Sequence, residues 1–371
     1  MAEAHEHSWS MDTPAVAPTA CQGTPRVLFV GQEWGSGSGS AELIAQGLVE
    51  EGWNATVSLP PNRDSYAPSE PALFYRGQQR LISWRALFSD MRSYDVVHVT
   101  CGSLRQIAEE VVPALVLARF FNRKAILHFE SAEIETQLER HRRWLLPALK
   151  LGGMAVTGSR HLQKVLTRAG LSVRLLTPPV SLGGLTHRVR SKLQPRILMN
   201  TPLEPDFNVP SSIRAFRLVK QKYPRAEMEI VGRGSQRQTL ENLVRQSRIN
   251  GVEFRGEIAA VELTSLYNEC DLFLHAPLID ESPRAVVRAF AAGLPVVVSD
   301  ADGLLHMVRD RSNALVAPMG DHAALADAII ELVENQELCE RLSSAGKAEA
   351  EKYTWSRVRQ DWINLYNSQV N

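Results

Sequence analysis

The sequence predicts an α/β protein of two parallel-sheet lobes. Three observations lead there. Its 371 residues exceed one ordinary core and suit two domains of about 150 to 180 residues each. Short apolar, β-branched runs alternate with amphipathic stretches along most of the chain, as in repeated βαβ units. Several of those runs end in glycine or polar residues just before a helix. That places backbone amides and reactive side chains at the carboxyl edge of a sheet, where open α/β sheets bind ligands.

Composition narrows the function classes. Hydrophobic residues make up 44% and charged residues 22%, with 41 basic and 41 acidic side chains. The chain is therefore of the globular class, with no basic excess to draw nucleic acid. Cys21, Cys101, Cys270 and Cys339 lie far apart and form no CxxC or Cys/His spacing, so they read as reduced thiols of a cytoplasmic protein, and no metal ligands are expected. No apolar run approaches the roughly 18 residues that cross a bilayer. Residues 1–24, rich in Ala, Pro, Thr, Ser and His, read as a disordered tail without a signal pattern.

The first buried strand is Arg26 to Val30, followed by glycines at 31, 35, 37 and 39 and a helix ending near Gly52. Such a loop lets a ligand approach the backbone closely, with helix amides behind it. Gly37, Ser38 and Gly39 are the candidates there. Residues 60–92 mix prolines with Arg80, Trp84, Arg85, Phe88 and Arg92, a composition that suits either an anionic membrane surface or an amphipathic cover for the lobe. Tyr94 to Val99 is the next strand, and His98 within it reads as a hydrogen-bonded core histidine as readily as a functional one.

The strand Lys124 to Phe129 carries the second chemical signal. Its end places His128, Glu130, Ser131 and Glu133 at the cleft edge. Arg140, Arg142, Arg143 and Lys150 then surround Trp144 and several leucines in a basic amphipathic pattern. Met154 to Thr157 leads into a helix near Ser159 and closes the first lobe. The second lobe opens at Pro195 to Asn200. Met228 to Val231 enters the Gly232-Arg233-Gly234 turn, Val252 to Gly256 follows with Arg255, and Asp271 to Pro277 completes a further βαβ step. Next comes the segment from Asp280 to Asp300, an acidic turn, a helix opening at Ser282-Pro283, and Gly293-Leu294-Pro295 before an apolar strand. Proline suits a first helical turn, whose amide has no partner there, and the amino end of this helix would welcome a phosphate. Trp355, Trp362 and Tyr366 serve as packing anchors of a final helix.

That segment resembles the donor-binding stretch of retaining GT-B fold glycosyltransferases of family 4, the glycosyl transferases group 1. The similar branch writes D-x-x-P-x-x-x-x-E before A-F-A-x-G-L-P-V-V, and it has a strand-end His followed by S-G-E. The resemblance implies two Rossmann-like domains facing each other across a central cleft. The limits are 1–24 for the tail, 25–182 for an acceptor-side domain, 183–194 for a linker, 195–352 for a nucleotide-sugar domain and 353–371 for a helix crossing back. It implies catalytic roles for His128 and Asp280, with His128 bonding a sugar hydroxyl. It implies donor contacts from Thr201, Gly232, Arg233, Gly234, Arg255, Ser282, Pro283, Arg284 and Arg288. Gly37, Ser38, Gly39, Glu130, Ser131 and Glu133 fall on the acceptor or sugar side. No cofactor or metal is implied beyond the nucleotide-sugar substrate. The chain departs from the pattern at Ala132, where the family has Gly, at Pro179, where it has Asn, and at three places in the donor site. Arg288 stands where the family has Glu, and Thr201 and Phe207 stand where it has phosphate-facing Arg and Lys or Tyr. An Arg cannot accept the ribose hydrogen bonds that a Glu accepts. Two readings follow. One is a glycosyltransferase with a rebuilt donor site, acting on a glycan, lipid or small molecule in the cytoplasm or at the inner face of the membrane. The other is an impaired homologue that serves as a binding or scaffolding partner.

Overall fold

The computed structural model describes residues 24–31, 39–58, 87–131, 133–190, 193–279 and 284–370. Its first sheet contains β1 (Val27–Val30), β2 (Ala55–Ser58), β3 (Val96–Cys101), β4 (Lys124–Phe129), β5 (Met154–Thr157) and β6 (Val173–Leu175), in the order β2-β1-β3-β4-β5-β6. The second contains β7 (Arg196–Asn200), β8 (Glu227–Val231), β9 (Val252–Gly256), β10 (Leu272–His275), β11 (Val296–Ser299) and β12 (Leu315–Ala317), in the order β12-β11-β10-β7-β8-β9. All pairings within both sheets are parallel. Two Rossmann-like units result, as the sequence predicts. The strand order reverses between β1 and β3 in one sheet and between β7 and β10 in the other, and a crevice opens at such points beyond the carboxyl ends of the strands.

The strands are apolar on both faces because both faces are covered. The α-helices of eight residues or more among the described residues are α1 (Ser40–Glu50), α2 (Val112–Phe120), α3 (Glu133–Leu149), α4 (Arg160–Ala169), α5 (Val209–Lys222), α6 (Arg237–Gln246), α7 (Ala260–Glu269), α8 (Arg284–Ala291), α9 (His322–Glu334), α10 (Gln336–Ala350) and α11 (Trp355–Val370). In the first sheet Leu28, Val97, Val99, Leu127 and Phe129 face the core shared with α2, α3 and α4. Val27, Phe29, Val96, Ile126 and Val156 face the opposite way, against α1 and α11. His98 and Thr100 on β3 register beside Ile126 and His128 on β4, and the two-residue alternation of a strand sets both histidines on that second face. In the second sheet, α7 and α8 cover the face of Leu198, Phe273, Val296 and Val298, while α5 and α9 cover the other.

The last helix belongs to the core of the first sheet although it follows the second in sequence. Trp362, Leu365 and Tyr366 of α11 are fully buried against Val27, Phe29 and Ile126. Trp362 Nε1 donates to the Thr177 carbonyl at 3.0 Å, and Arg359 pairs with Glu51. Glycine at 47 makes room for the approach, since a Cβ there would fall 2.2 Å from the Trp355 ring. Where the chain passes between the sheets, the Val180 amide donates to the Tyr353 carbonyl at 2.9 Å.

Candidate active site

At the carboxyl edge of the first sheet a line of polar groups runs from α11 toward the second lobe. Tyr366 Oη lies 2.7 Å from His98 Nδ1, and His98 Nε2 lies 3.1 Å from His128 Nδ1. His128 Nε2 is 3.6 Å from Glu130 Oε1. Ser40 donates its hydroxyl to Glu130, and the other carboxylate oxygen is 3.7 Å from Arg284 Nη1 in the second lobe. Both histidines are completely buried. Burial drives His98 well below the ordinary imidazole value of 6.5, and the neighbouring His128 pushes the same way. His128 is lowered as well, by burial first, with Glu130 opposing and Arg284 assisting. The 3.6 Å approach therefore joins a neutral ring to a carboxylate.

These shifts predict acid sensitivity. Above the unfolded value of 6.5 both rings are neutral in either state, and stability is full. Below it the unfolded chain takes up protons that the folded chain refuses, so stability falls as the pH drops. Each ring contributes a slope of up to about 1.4 kcal/mol per pH unit. Urea unfolding between about pH 8 and pH 5 checks this, and His98→Gln with His128→Gln should flatten the slope.

Across the cleft, α8 presents Arg284 at its amino end and Arg288 one turn further on. Arg288 is 8% exposed. Its Nη2 donates to Thr264 Oγ1 at 3.2 Å, and the guanidinium lies over the Tyr267 ring, 5.3 Å from its centre. Tyr267 is itself anchored, accepting from Asn200 Nδ2 at the carboxyl end of β7 at 3.0 Å and donating to the Ala285 carbonyl at 3.2 Å. Burial raises the Tyr267 phenol to about 12, with Arg288 and the Asn200 hydrogen bond opposing, so it stays a neutral donor. Among the described residues Arg288 has no carboxylate partner, and its Nε is buried without an acceptor.

Arg190 holds this region together from behind. Its guanidinium, 4% exposed, donates to the carbonyls of Cys270 at 2.6 Å, Arg188 at 2.9 Å, Ala292 and Tyr267 at 3.1 Å, and Asn268 at 3.3 Å. These carbonyls include the carboxyl ends of α7 and α8, where helix dipoles favour a cation. Burial, and then Arg188, pulls the guanidinium down to about 10. It remains charged at neutral pH.

The other predicted residues are distributed unevenly. Gly37, Ser38, Asp280, Ser282 and Pro283 lie outside the described residues. Gly39 is the extended residue that precedes α1, and its neighbour Ser40 is the one that reaches Glu130. Ser131 accepts from the Glu133 amide at 3.3 Å and Glu133 accepts from Gln137 at 3.4 Å, so both are occupied at the head of α3. The Thr201 hydroxyl is buried without a partner among the described residues. Phe207 turns toward the core beside His275, 6.4 Å between ring centres. Gly232 and Gly234 have a packing reason to be glycine, because Cβ atoms there would fall 2.0 Å from the Thr201 carbonyl oxygen and 2.3 Å from that of Leu203. The Gly232 amide is already donated to the Gly256 carbonyl, so any phosphate contact of this turn has to come from elsewhere in it. Arg233 faces Glu257 at 3.2 Å. Arg255 is engaged by Glu229 at 2.9 Å and Glu253 at 3.0 Å. Residue-by-residue reading missed Ser40, Arg190, Thr264 and Tyr267, and gave Tyr366 only a packing role. No three His, Cys, Asp or Glu side chains converge as a metal-binding group among the described residues.

Residues 188–349 match the family model described as glycosyl transferases group 1. The match supports that family. The chain is 31% identical over 151 residues to the phosphatidyl-myo-inositol mannosyltransferase of Mycobacterium leprae, covering 40% of each chain. It is 24% identical over 160 residues to the putative glycosyltransferase EpsD of Bacillus subtilis, covering 43% of this chain and 42% of that one. The alignments thus span less than half the length of either relative. Among solved structures, Anabaena HepE in complex with UDP and glucose superposes with a TM-score of 0.70 at 17% identity, over 93% of this chain and all of that one. The sucrose-phosphate synthase of Thermosynechococcus elongatus also gives 0.70, at 16% identity, over 93% and 98%. At these identities the likeness shows the fold, two Rossmann-like domains of the GT-B type.

Proposed function

We propose that this protein is a retaining, metal-independent glycosyltransferase that moves a sugar from a nucleotide-sugar donor to a glycan, lipid or small-molecule acceptor. The observation that carries this reading is the 3.7 Å approach of Arg284 to Glu130. It brings the amino end of α8, suited to an anion, next to the buried His128 of the opposite lobe. The group 1 match over the second lobe and the UDP and glucose bound by HepE support a nucleotide-sugar donor. In this reading the lobe from residue 195 to 352 holds the donor and the lobe from 25 to 182 presents the acceptor. The diphosphate lies at the α8 amino end, with Arg284 and Arg288 supplying positive charge. His128 bonds a sugar hydroxyl. The acceptor oxygen joins the anomeric carbon on the face from which the diphosphate leaves, the bond from that carbon to the phosphate oxygen breaks, and the departing diphosphate takes the acceptor's proton. Stabilising that developing negative charge is the main catalytic task.

The test is release of nucleoside diphosphate from a panel of UDP-, GDP- and ADP-sugars. One donor should be turned over, and His128→Ala should lower kcat about 100-fold while the fold survives by circular dichroism. No release from any donor, or full activity in the variant, would overturn the reading.

We also propose peripheral contact with anionic lipid through α3. That helix kinks at His141. Arg140, Arg142, Arg143 and Lys150 are exposed around Trp144, which is 43% exposed, and Phe120 of the neighbouring α2 is 75% exposed. No helix among the described residues is long and apolar enough to cross a membrane, so the contact would be superficial. Residues 60–86 of the proposed membrane-facing stretch lie outside the described residues. Co-sedimentation with anionic liposomes should occur at low salt and weaken as salt is added, because exposed charges are screened over about 8 Å at physiological ionic strength. No binding at low salt would leave only a solvated helix face.

A further inference from the structure

We propose that Tyr366 and His98 are positioning residues that hold His128 as the Nε2–H tautomer, so that its outer nitrogen is a hydrogen-bond donor aimed into the cleft. A neutral imidazole has one N–H and one lone pair, so two neutral rings in contact can be ordered in only two ways. His98 is enclosed by apolar surfaces, stacked on Phe29 at 4.7 Å between ring centres and close to Trp362 at 6.0 Å. Its polar neighbours are Tyr366 at 2.7 Å and His128 at 3.1 Å.

In the first ordering, His98 donates from Nδ1 to the tyrosine oxygen and accepts from His128 Nδ1–H at its own Nε2. The buried phenol O–H then has no acceptor at this junction, and the bare lone pair of His128 Nε2 faces the Glu130 carboxylate at 3.6 Å. In the second, the tyrosine O–H donates to His98 Nδ1, His98 Nε2–H donates to His128 Nδ1, and His128 Nε2–H points toward Glu130. Every proton is then aimed at an acceptor atom, the last at the Glu130 carboxylate 3.6 Å away. The first ordering strands the phenol proton, at the cost of its desolvation, and also sets a lone pair against a carboxylate, so the second ordering prevails. His128 Nε2 is itself buried without a hydrogen-bond partner among the described residues. It is a donor in search of an oxygen.

The consequence is that a residue of the last helix, contributed after the whole second lobe, sets the proton on a side chain at the mouth of the cleft. The oxygen it serves is the sugar hydroxyl of the proposed function, and to that extent the inference rests on that reading. The tautomer itself is read on the ligand-free protein, so failure of one is distinguishable from failure of the other.

The experiment is a long-range proton–nitrogen spectrum of the full chain with nitrogen-15-labelled histidine at neutral pH, the two rings assigned through His98→Gln and His128→Gln. His128 should show Nε2 in the protonated range and Nδ1 in the unprotonated range. In Tyr366→Phe combined with Glu130→Gln, which removes the determinant at each end, the two His128 nitrogen shifts should move toward each other as both tautomers become populated. A His128 protonated on Nδ1, or an imidazolium, in the unaltered protein overturns the proposal. So does an unchanged Nε2–H signature in a folded double variant. If the double variant does not fold, the unaltered protein still decides the question.

Discussion

Arg288→Glu should weaken nucleoside diphosphate binding by about 100-fold or more. A charge-assisted hydrogen bond to phosphate contributes about 1.5 to 3 kcal/mol, each 1.4 kcal/mol is a factor of about ten in affinity, and reversing the sign adds repulsion to the loss. Arg288 is suited to such a partner because it is buried, stacked on Tyr267 and without an acidic neighbour among the described residues. Arg233, Arg255 and Arg284 each face a glutamate. Buried charge is costly unless paired, and an anionic ligand would supply the missing pair. Isothermal titration of both proteins with UDP, GDP and ADP checks this. If the unaltered protein binds none of the three and the variant gains nothing, the donor site has decayed. Tight binding that survives the substitution would place the diphosphate away from α8.

Arg190→Leu should lower unfolding free energy by about 3 kcal/mol, the cost of removing a buried charged group whose partners are left unsatisfied. The side chain donates to carbonyls on both α7 and α8. Arg190→Lys should rescue little, because a single ammonium lacks the planar fork that spans several acceptors. Urea denaturation provides the number. Nucleotide binding should weaken in parallel, since α7 carries Thr264 and Tyr267 while α8 carries Arg284 and Arg288. A change in midpoint near zero would show that the two helix ends hold without it.

The strands were legible because buried parallel strands leave nearly continuous apolar runs, and two parallel sheets follow from repeated βαβ units in a chain of this length. The place of His128 near the end of β4 was legible as well, since it follows directly from the apolar run that precedes it. The surrounding polar chain was not. Ser40, His98, His128 and Tyr366 come from four separate stretches, and only the register of β3 with β4 and the return of α11 unite them. Periodicity marked Tyr366 as core, and it is; its hydroxyl acquires a second task only because His98 sits beneath it. The glycines at 232 and 234 carry a second demand that the motif does not announce. A Gly-x-Gly turn after a strand suggests phosphate, yet the nearest demand on these positions comes from the backbone at Thr201 and Leu203. Arg190 carried no signal at all. An arginine between Val189 and Ser191 looks like a solvated linker residue, and its burial depends on two helix ends that meet only in the folded lobe.

The return of α11 to the first sheet also bears on the order in which the protein is made. Val27, Phe29, Ile126 and Val156 emerge from the ribosome before the second lobe, but the Trp362, Leu365 and Tyr366 side chains that cover them emerge after it. Domains are commonly completed in the order of synthesis. Here the lobe begun before the other is finished after it, once all six strands of the second sheet exist, and one apolar face of the earlier lobe waits for the whole of the later one before it gains its lid.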